Sequence, residues 1–139
     1  MAVGSFNIYT RELDILAEQY HNVVLHRNVT RMSELMMACD LAVSAGGSTL
    51  YELCACGIPT ISFAFADNQL EGVHEFHKQD LIYYAGDVRS DLAYSLENIE
   101  TGLDSLMNDR ELREKLSYNM RMIVDGYGTD RIIKSIFTI

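Results

Sequence analysis

Two adjacent glycines, Gly46 and Gly47, stand where an apolar run gives way to a helical pattern, and that junction constrains the fold more than any other stretch. Leu41-Ala42-Val43 ahead of it suits a strand buried on both faces, while Leu50, Leu53 and Cys54 behind it recur at helical spacing. Glycine admits positive φ and has no Cβ, so the backbone here can turn sharply and approach another group closely. Ser48 or Thr49 is placed to cap the new helix. First-turn N–H groups have no intrahelical partner and lie at the positive end of the helix dipole, so the turn suits an anion such as a diphosphate. Glu52, one turn further in, is placed to reach a ribose. A strand-to-helix connection with a good N-cap uses the same residues without a ligand, and the turn alone does not separate the two readings.

The rest of the chain repeats this alternation. Met1-Ala2-Val3-Gly4 reads as the end of a strand, so the chain is expected to begin within a fold. Leu13, Leu16, Ala17 and Tyr20 mark an amphipathic helix, and Val23-Val24-Leu25 the next buried strand. After a loop at residues 26–30, Met32, Leu35, Met36 and Cys39 share a helix face, followed by a strand at residues 40–44 and the glycine turn. The helix after the turn stops at Gly57. Thr60-Ile61-Ser62-Phe63 is a strand whose carboxyl end meets a helix at Asp67-Asn68-Gln69, the edge where open α/β sheets bind ligands. Val73, Phe76 and His77 lie on that helix, and Leu81-Ile82-Tyr83-Tyr84 is a strand closed by Ala85-Gly86-Asp87, with one tyrosine expected inside and one outside. Leu92, Leu96, Ile99, Leu103 and Leu106 form a helical stripe. Asn108-Asp109 breaks and recaps before a helix whose Leu112, Leu116, Ile123 and Val124 face inward. A last segment at residues 129–137, with Ile132, Ile133 and Ile136, is expected to pack back on the sheet. Short apolar strands alternating with helices predict an α/β fold, a Rossmann-like parallel sheet with helices on both faces.

Composition narrows what such a domain can bind. The 139 residues fit one domain, and 48% hydrophobic with 22% charged residues is enough to bury a core. A formal net charge of −9 disfavours nonspecific binding to nucleic acid or to an anionic membrane. Residues 32–77 contain no Lys or Arg, so any phosphate at the glycine turn rests on backbone donors, helped at most by Arg27 or Arg31. The three cysteines, Cys39, Cys54 and Cys56, are an odd number on apolar segments and read as free thiols rather than a disulfide set. No run reaches the roughly 18 apolar residues of a membrane span, and no signal peptide is evident, so a cytoplasmic location is expected. His74 and His77 lie three apart on a helix without a partner carboxylate, and no metal or other cofactor is expected. Met32, Met36 and Met37 read as core filling, and Glu97, Glu100 and Asp104 as a solvated face.

The residues from Asn28-Val29 through Met32-Ser33-Glu34-Leu35-Met36, the block from Asp40 to Leu53, Gly57-Ile58-Pro59-Thr60 and Ala66-Asp67-Asn68-Gln69 together resemble the carboxyl-terminal domain of GT-B nucleotide-sugar enzymes. They are most similar to the UDP-sugar hydrolases of pseudaminic acid biosynthesis, with a broader kinship to the GlcNAc transferases of peptidoglycan synthesis. The resemblance implies that residues 1–139 are the UDP-binding half of a GT-B fold. It assigns uracil to Asn28 and Val29, diphosphate to Gly46, Gly47, Ser48 and Thr49, the ribose hydroxyls to Glu52, and the sugar to Asn68 and Gln69. It implies a UDP-sugar as ligand and cleavage of UDP from a diacetamido-trideoxy sugar. Two alternatives stand beside hydrolysis: the donor half of a glycosyltransferase, and a separate nucleotide-binding subunit of a split enzyme. The sequence departs from the family in lacking the amino-terminal GT-B domain and its water-activating histidine, so no catalytic residue is expected in this chain. An exposed cleft and an unpaired sheet edge then predict self-association.

Overall fold

Strands in this chain pair only in parallel among the residues that the computed structural model describes, 1–137. The last two residues of the expected 1–139 domain lie outside them. Residues Met1–Met32 and the chain from Ser33 onward form two units, and each is described by itself.

In the first unit β1 (Ala2–Val3) pairs with β2 (His26–Arg27), joined by α1 (Thr10–Gln19) in a small β-α-β step. The strand expected at Val23-Val24-Leu25 lies further on. The end of α1 closes into a turn in which the Val23 N–H donates to Tyr20 O (2.8 Å), so pairing begins only at His26 and Val24 stays exposed.

The second unit continues through α2 (Met32–Met37), β3 (Ala42–Ala45), α3 (Thr49–Cys56), β4 (Thr60–Ala64), α4 (Asp67–Lys78), β5 (Tyr83–Asp87), α5 (Leu92–Asn108), α6 (Arg110–Ile123) and α7 (Gly128–Phe137). Its sheet runs β3-β4-β5, with Val43 opposite Ile61 and Ile61 opposite Tyr83. Helices cover both faces, and Tyr83 and Tyr84 demonstrate it. Side chains of successive strand residues point to opposite faces. The Tyr83 ring lies so close to Gly102 of α5 that a Cβ there would meet it at 2.8 Å, whereas the Tyr84 ring stands edge-on to His74 of α4 with centroids 5.0 Å apart. Both tyrosines are therefore half-buried, in place of the expected one in and one out. On the α5 side Ile61, Ala85, Leu106 and Leu116 form the core, with Leu41 and Phe63 packed against it.

Three inward faces differ from expectation. Leu41, just before β3, joins that core, but Val43 on β3 is 44% exposed. On α5 the buried positions are Ser95, Gly102 and Leu106, and small residues let the helix lie close to the sheet, while Leu92 and Leu96 face outward. The third is α7, which does not pack on the sheet. Ile132, Ile133, Ile136 and Phe137 are all exposed, as is Ile123 at the end of α6. Asp125 holds the start of this segment by accepting from the Tyr127 N–H (3.0 Å) and pairing with Arg131 (2.6 Å). Met36 is buried as core, but Met37 is exposed.

Two helix boundaries follow their sequence signals. Gly57 closes α3 in the left-handed region (φ 66), and Asp109 ends α5 while its carboxylate caps α6 through the Leu112 N–H (2.9 Å). Among the described residues no helix is long and apolar enough to cross a membrane.

Candidate functional site at the carboxyl edge of the sheet

Parallel strands bring the turns that follow β3, β4 and β5 to one edge, and the helices α3 and α4 both start there. The two glycines after β3 divide the work of that edge. A Cβ on Gly46 would lie 2.0 Å from Val73 Cγ1, so this residue is glycine because α4 packs directly on it. A Cβ on Gly47 would meet only Gln69 Nε2, at 3.9 Å, so its outer side is open. Neither glycine has positive φ, so the expected left-handed turn is absent, and close approach of α4 accounts for Gly46 alone.

The backbone donors divide the same way. Gly46 N–H donates to Phe63 O (2.8 Å) and Gly47 N–H to Ala45 O (2.9 Å), both within the fold. Among the described residues the Ser48 and Thr49 N–H groups donate to nothing, and they open α3 at its positive end. Ser48 is the N-cap residue by position, but its backbone is already helical (φ −58, ψ −24) and its hydroxyl caps nothing. The expected side-chain cap is therefore absent, which leaves both hydroxyls exposed beside the free N–H pair. Glu52 is exposed on the first turn of the same helix.

At the start of α4, Asn68 is exposed and Gln69 half-buried. Gln69 Oε1 accepts from the Phe65 N–H (3.0 Å). Only the oxygen of a carboxamide can accept there, so the NH2 end is the one beside Gly47. Gln69 thus offers donors, not acceptors, to whatever occupies the open side of Gly47.

Arg89 follows β5 and was not among the residues singled out from the sequence. Its Nε and Nη2 fork onto Asp87 (3.0 and 2.7 Å), and its Nη1 reaches Asp67 on α4 (2.9 Å). The guanidinium hydrogen bonds hold the Asp87 carboxyl below the usual carboxylate range, and the two carboxylates push the Arg89 pKa up. The signal available in the sequence was a charged Asp87-Val88-Arg89 turn closing a strand at the ligand edge.

Asn28 and Val29 lie in the first unit, Asn28 exposed with φ 52 and Val29 half-buried. His74 and His77 both face Tyr84, with centroids 5.0 and 6.2 Å away. Among the described residues no group of three or more His, Cys, Asp or Glu could hold a metal ion. At the opposite, amino edge of the sheet, a groove lined by Gly57, Pro59, Arg113 and Arg121 has its guanidinium groups bonded to helix-end carbonyls: Arg113 to Leu106 and Met107, Arg121 to Cys56.

Residues 7–127 match the family described as "Protein of unknown function (DUF354)". Among curated proteins, the chain is 40% identical over 82 residues to the UDP-N-acetylglucosamine–N-acetylmuramyl-(pentapeptide) pyrophosphoryl-undecaprenol N-acetylglucosamine transferase of Helicobacter pylori strain HPAG1, a match covering 55% of this chain and 22% of that protein. It is 44% identical over 63 residues to the enzyme of the same name from Helicobacter acinonychis strain Sheeba, covering 42% of this chain and 17% of that protein. The match thus spans less than a quarter of the length of these relatives. No solved structure gives a significant match.

Proposed function

The chain belongs to the DUF354 family, and from that premise we propose that the carboxyl edge of its second unit binds the UDP-sugar donor of a GT-B glycosyltransferase. The observation that carries the proposal is the unpartnered N–H pair of Ser48 and Thr49 at the start of α3, faced across Gly47 by the Gln69 NH2 group. Together these are neutral donors on residues that adjoin the open side of Gly47, a suitable cradle for a diphosphate. In this reading Gly47 leaves room for the ligand, Gly46 positions α4, Glu52 accepts from the ribose hydroxyls, and Asn68 and Gln69 face the sugar. Uracil at Asn28 and Val29 is carried on the family resemblance alone. Charge developing on the departing diphosphate would be met by the same amides and helix end.

Transfer leads because the curated relatives are named as transferases acting with UDP-N-acetylglucosamine. Hydrolysis of a UDP-linked diacetamido-trideoxy sugar, of the pseudaminic acid type, is the second reading, and it needs the same nucleotide edge with water as acceptor. Both take the acceptor and its activating base from a second, amino-terminal GT-B domain, joined in one polypeptide or held as a separate subunit. Product analysis on the two halves together separates them: an extended glycan means transfer, free sugar means hydrolysis. A cytoplasmic location fits the three free cysteines. Self-association belongs to the same proposal, with a second copy covering Ile132, Ile133, Ile136 and Phe137 of α7; a strict monomer in light scattering at high concentration would count against it.

Calorimetric titration with UDP, using UMP and ADP as controls, tests the core of the proposal. Saturable binding selective for UDP is expected, and Glu52→Ala should weaken it about tenfold, the worth of one hydrogen bond to a charged acceptor. Equal affinity for UDP and ADP, or no binding at all, refutes the donor site. Unchanged affinity in the Glu52 variant refutes the ribose assignment.

A further inference from the structure

We propose that Arg89 is a positioning residue for this edge: by bridging Asp87 at the end of β5 to Asp67 at the start of α4, it fixes the first turn of α4 and so aims the Gln69 carboxamide at the open side of Gly47. The inference rests on the donor-site reading for its ligand, although its mechanical part does not.

The start of α4 lacks the usual anchor. Its N-cap residue is Ala66, which has no side chain able to accept from the first-turn N–H groups, and no cap hydrogen bond forms. Two side-chain contacts hold the turn instead: the Gln69–Phe65 bond and the Arg89–Asp67 pair. Arg89 is itself held before it reaches Asp67. Its own N–H donates to Asp87 Oδ1 (3.0 Å), Ser90 Oγ donates to Asp87 O (2.9 Å), and Val88 N–H extends the ladder to Ala64 O (3.0 Å). The fork onto Asp87 is the strong contact, planar and charge-assisted, on a carboxylate only 16% exposed. The single bond to Asp67, 91% exposed, is the weak one. A guanidinium fixed at one end and lightly tethered at the other sets the position of a helix start without contributing much to global stability. Asp67 lies two residues before Gln69, so freeing it loosens the turn that carries the donor amide.

Nitrogen-15 NMR of the chain, with titration by UDP and UDP-N-acetylglucosamine, tests this on the wild type, Arg89→Ala, Arg89→Lys, Asp67→Asn and the Arg89→Ala/Asp67→Asn double variant. In Arg89→Ala the Gln69 side-chain NH2 and Gly47 N–H resonances should move. The Gln69 N–H, which donates to Ala66 O in the first turn of α4, should exchange about two- to fivefold faster, and UDP-N-acetylglucosamine should bind about two- to fivefold more weakly, the scale of an exposed ion pair. Arg89→Lys should restore part of each change, Asp67→Asn should reproduce them, and the double variant should add nothing more. Unmoved Gln69 and Gly47 resonances in Arg89→Ala would overturn the proposal, as would independent, additive effects of the two substitutions. Should Arg89→Ala not fold, Asp67→Asn keeps the Asp87 fork and carries the same spectral test. Moved Gln69 and Gly47 resonances in Arg89→Ala, beside a wild type that binds neither nucleotide, would support the bridge and refute the donor reading.

Discussion

Substituting Gly46 by alanine isolates what the first glycine does. The new Cβ would stand 2.0 Å from Val73 Cγ1, where ordinary contact begins at 3.4 Å, so one of the two must move by about 1.4 Å. Neither can move freely. Val73 is fully buried on α4, and a β-branched side chain in a helix has essentially one χ1 rotamer. Phe63 O and Gln69 Cβ, each 3.5 Å from the new atom, close the other directions. Overpacking of this kind costs about 1–3 kcal/mol. Gly46 is not in the left-handed region, so alanine adds no backbone strain and returns about 0.4–1 kcal/mol by restricting the unfolded chain. The net expectation is a loss of about 1–2 kcal/mol, and with a urea m-value near 2 kcal/mol/M the midpoint falls by about 0.5–1 M.

The same shift pushes α4 outward and carries Gln69 away from Gly47, so UDP affinity should fall with stability. Val73→Ala removes the clashing methyl at a cost of about 2 kcal/mol on its own. In the Gly46→Ala/Val73→Ala double variant the combined cost should fall short of the sum by about 1–2 kcal/mol. Gly47→Ala is the counterpart: its Cβ meets only the Gln69 amide at 3.9 Å, so stability should stay within about 0.5 kcal/mol while UDP binding weakens. Full additivity in the cycle, or a Gly46→Ala protein as stable as the wild type, would refute the packing argument.

Three further outcomes follow from other parts of the fold. Gly57→Ala forces a Cβ into the left-handed cap of α3 and against the Arg121 side chain, so it should cost about 1–2 kcal/mol in thermal unfolding; an unchanged midpoint would refute the cap. Acid should destabilise the chain: hydrogen bonds from Lys115 to Asp80, Arg89 to Asp87 and Arg131 to Asp125 lower those carboxyl pKa values in the folded state. Their contribution is complete above the unfolded carboxylate value near 4 and is lost as pH falls through the depressed folded values, so the urea midpoint should drop below about pH 4. Asp87→Asn should flatten that drop, and a midpoint that rises on acidification would contradict the pairing. Among the thiols, Cys54 is buried and pushed up to about 11 while Cys39 is exposed. A thiol reagent at pH 8 should therefore modify Cys39 quickly and Cys54 only as the chain unfolds, and equal rates would contradict the burial.

What could be read from the sequence was local. The strand-turn-helix at Gly46-Gly47, the helix stop at Gly57 and the double role of Asp109 each depend on residues within one turn of one another, and each stands where expected. Faces were harder, because a leucine stripe records helicity but not which side meets the sheet. In α5 the inward side is marked by Ser95 and Gly102, whose small size allows close approach, and Leu92 and Leu96 are left outside. The direction of the Gln69 amide depends on Phe65 across a turn, and the role of Gly46 on Val73, twenty-seven residues away. Arg89 was least visible of all, since only the β4-β5 pairing brings its turn beside the start of α4.

These distant contacts change how an acidic chain would hold an anion. No lysine or arginine occurs in residues 32–77, and Arg89, which the fold brings to the start of α4, is already shared by two carboxylates. In the proposed reading, what the second unit offers an anion at the Gly47 side is a set of oriented neutral dipoles, the Ser48 and Thr49 N–H groups, the end of α3 and the Gln69 amide. Dipoles fixed by packing act at short range and only along their own directions. Selectivity at such an edge depends on keeping α3 and α4 in register with one another. Gly46 under Val73 does this from beneath, and the Arg89 bridge does it from the rim.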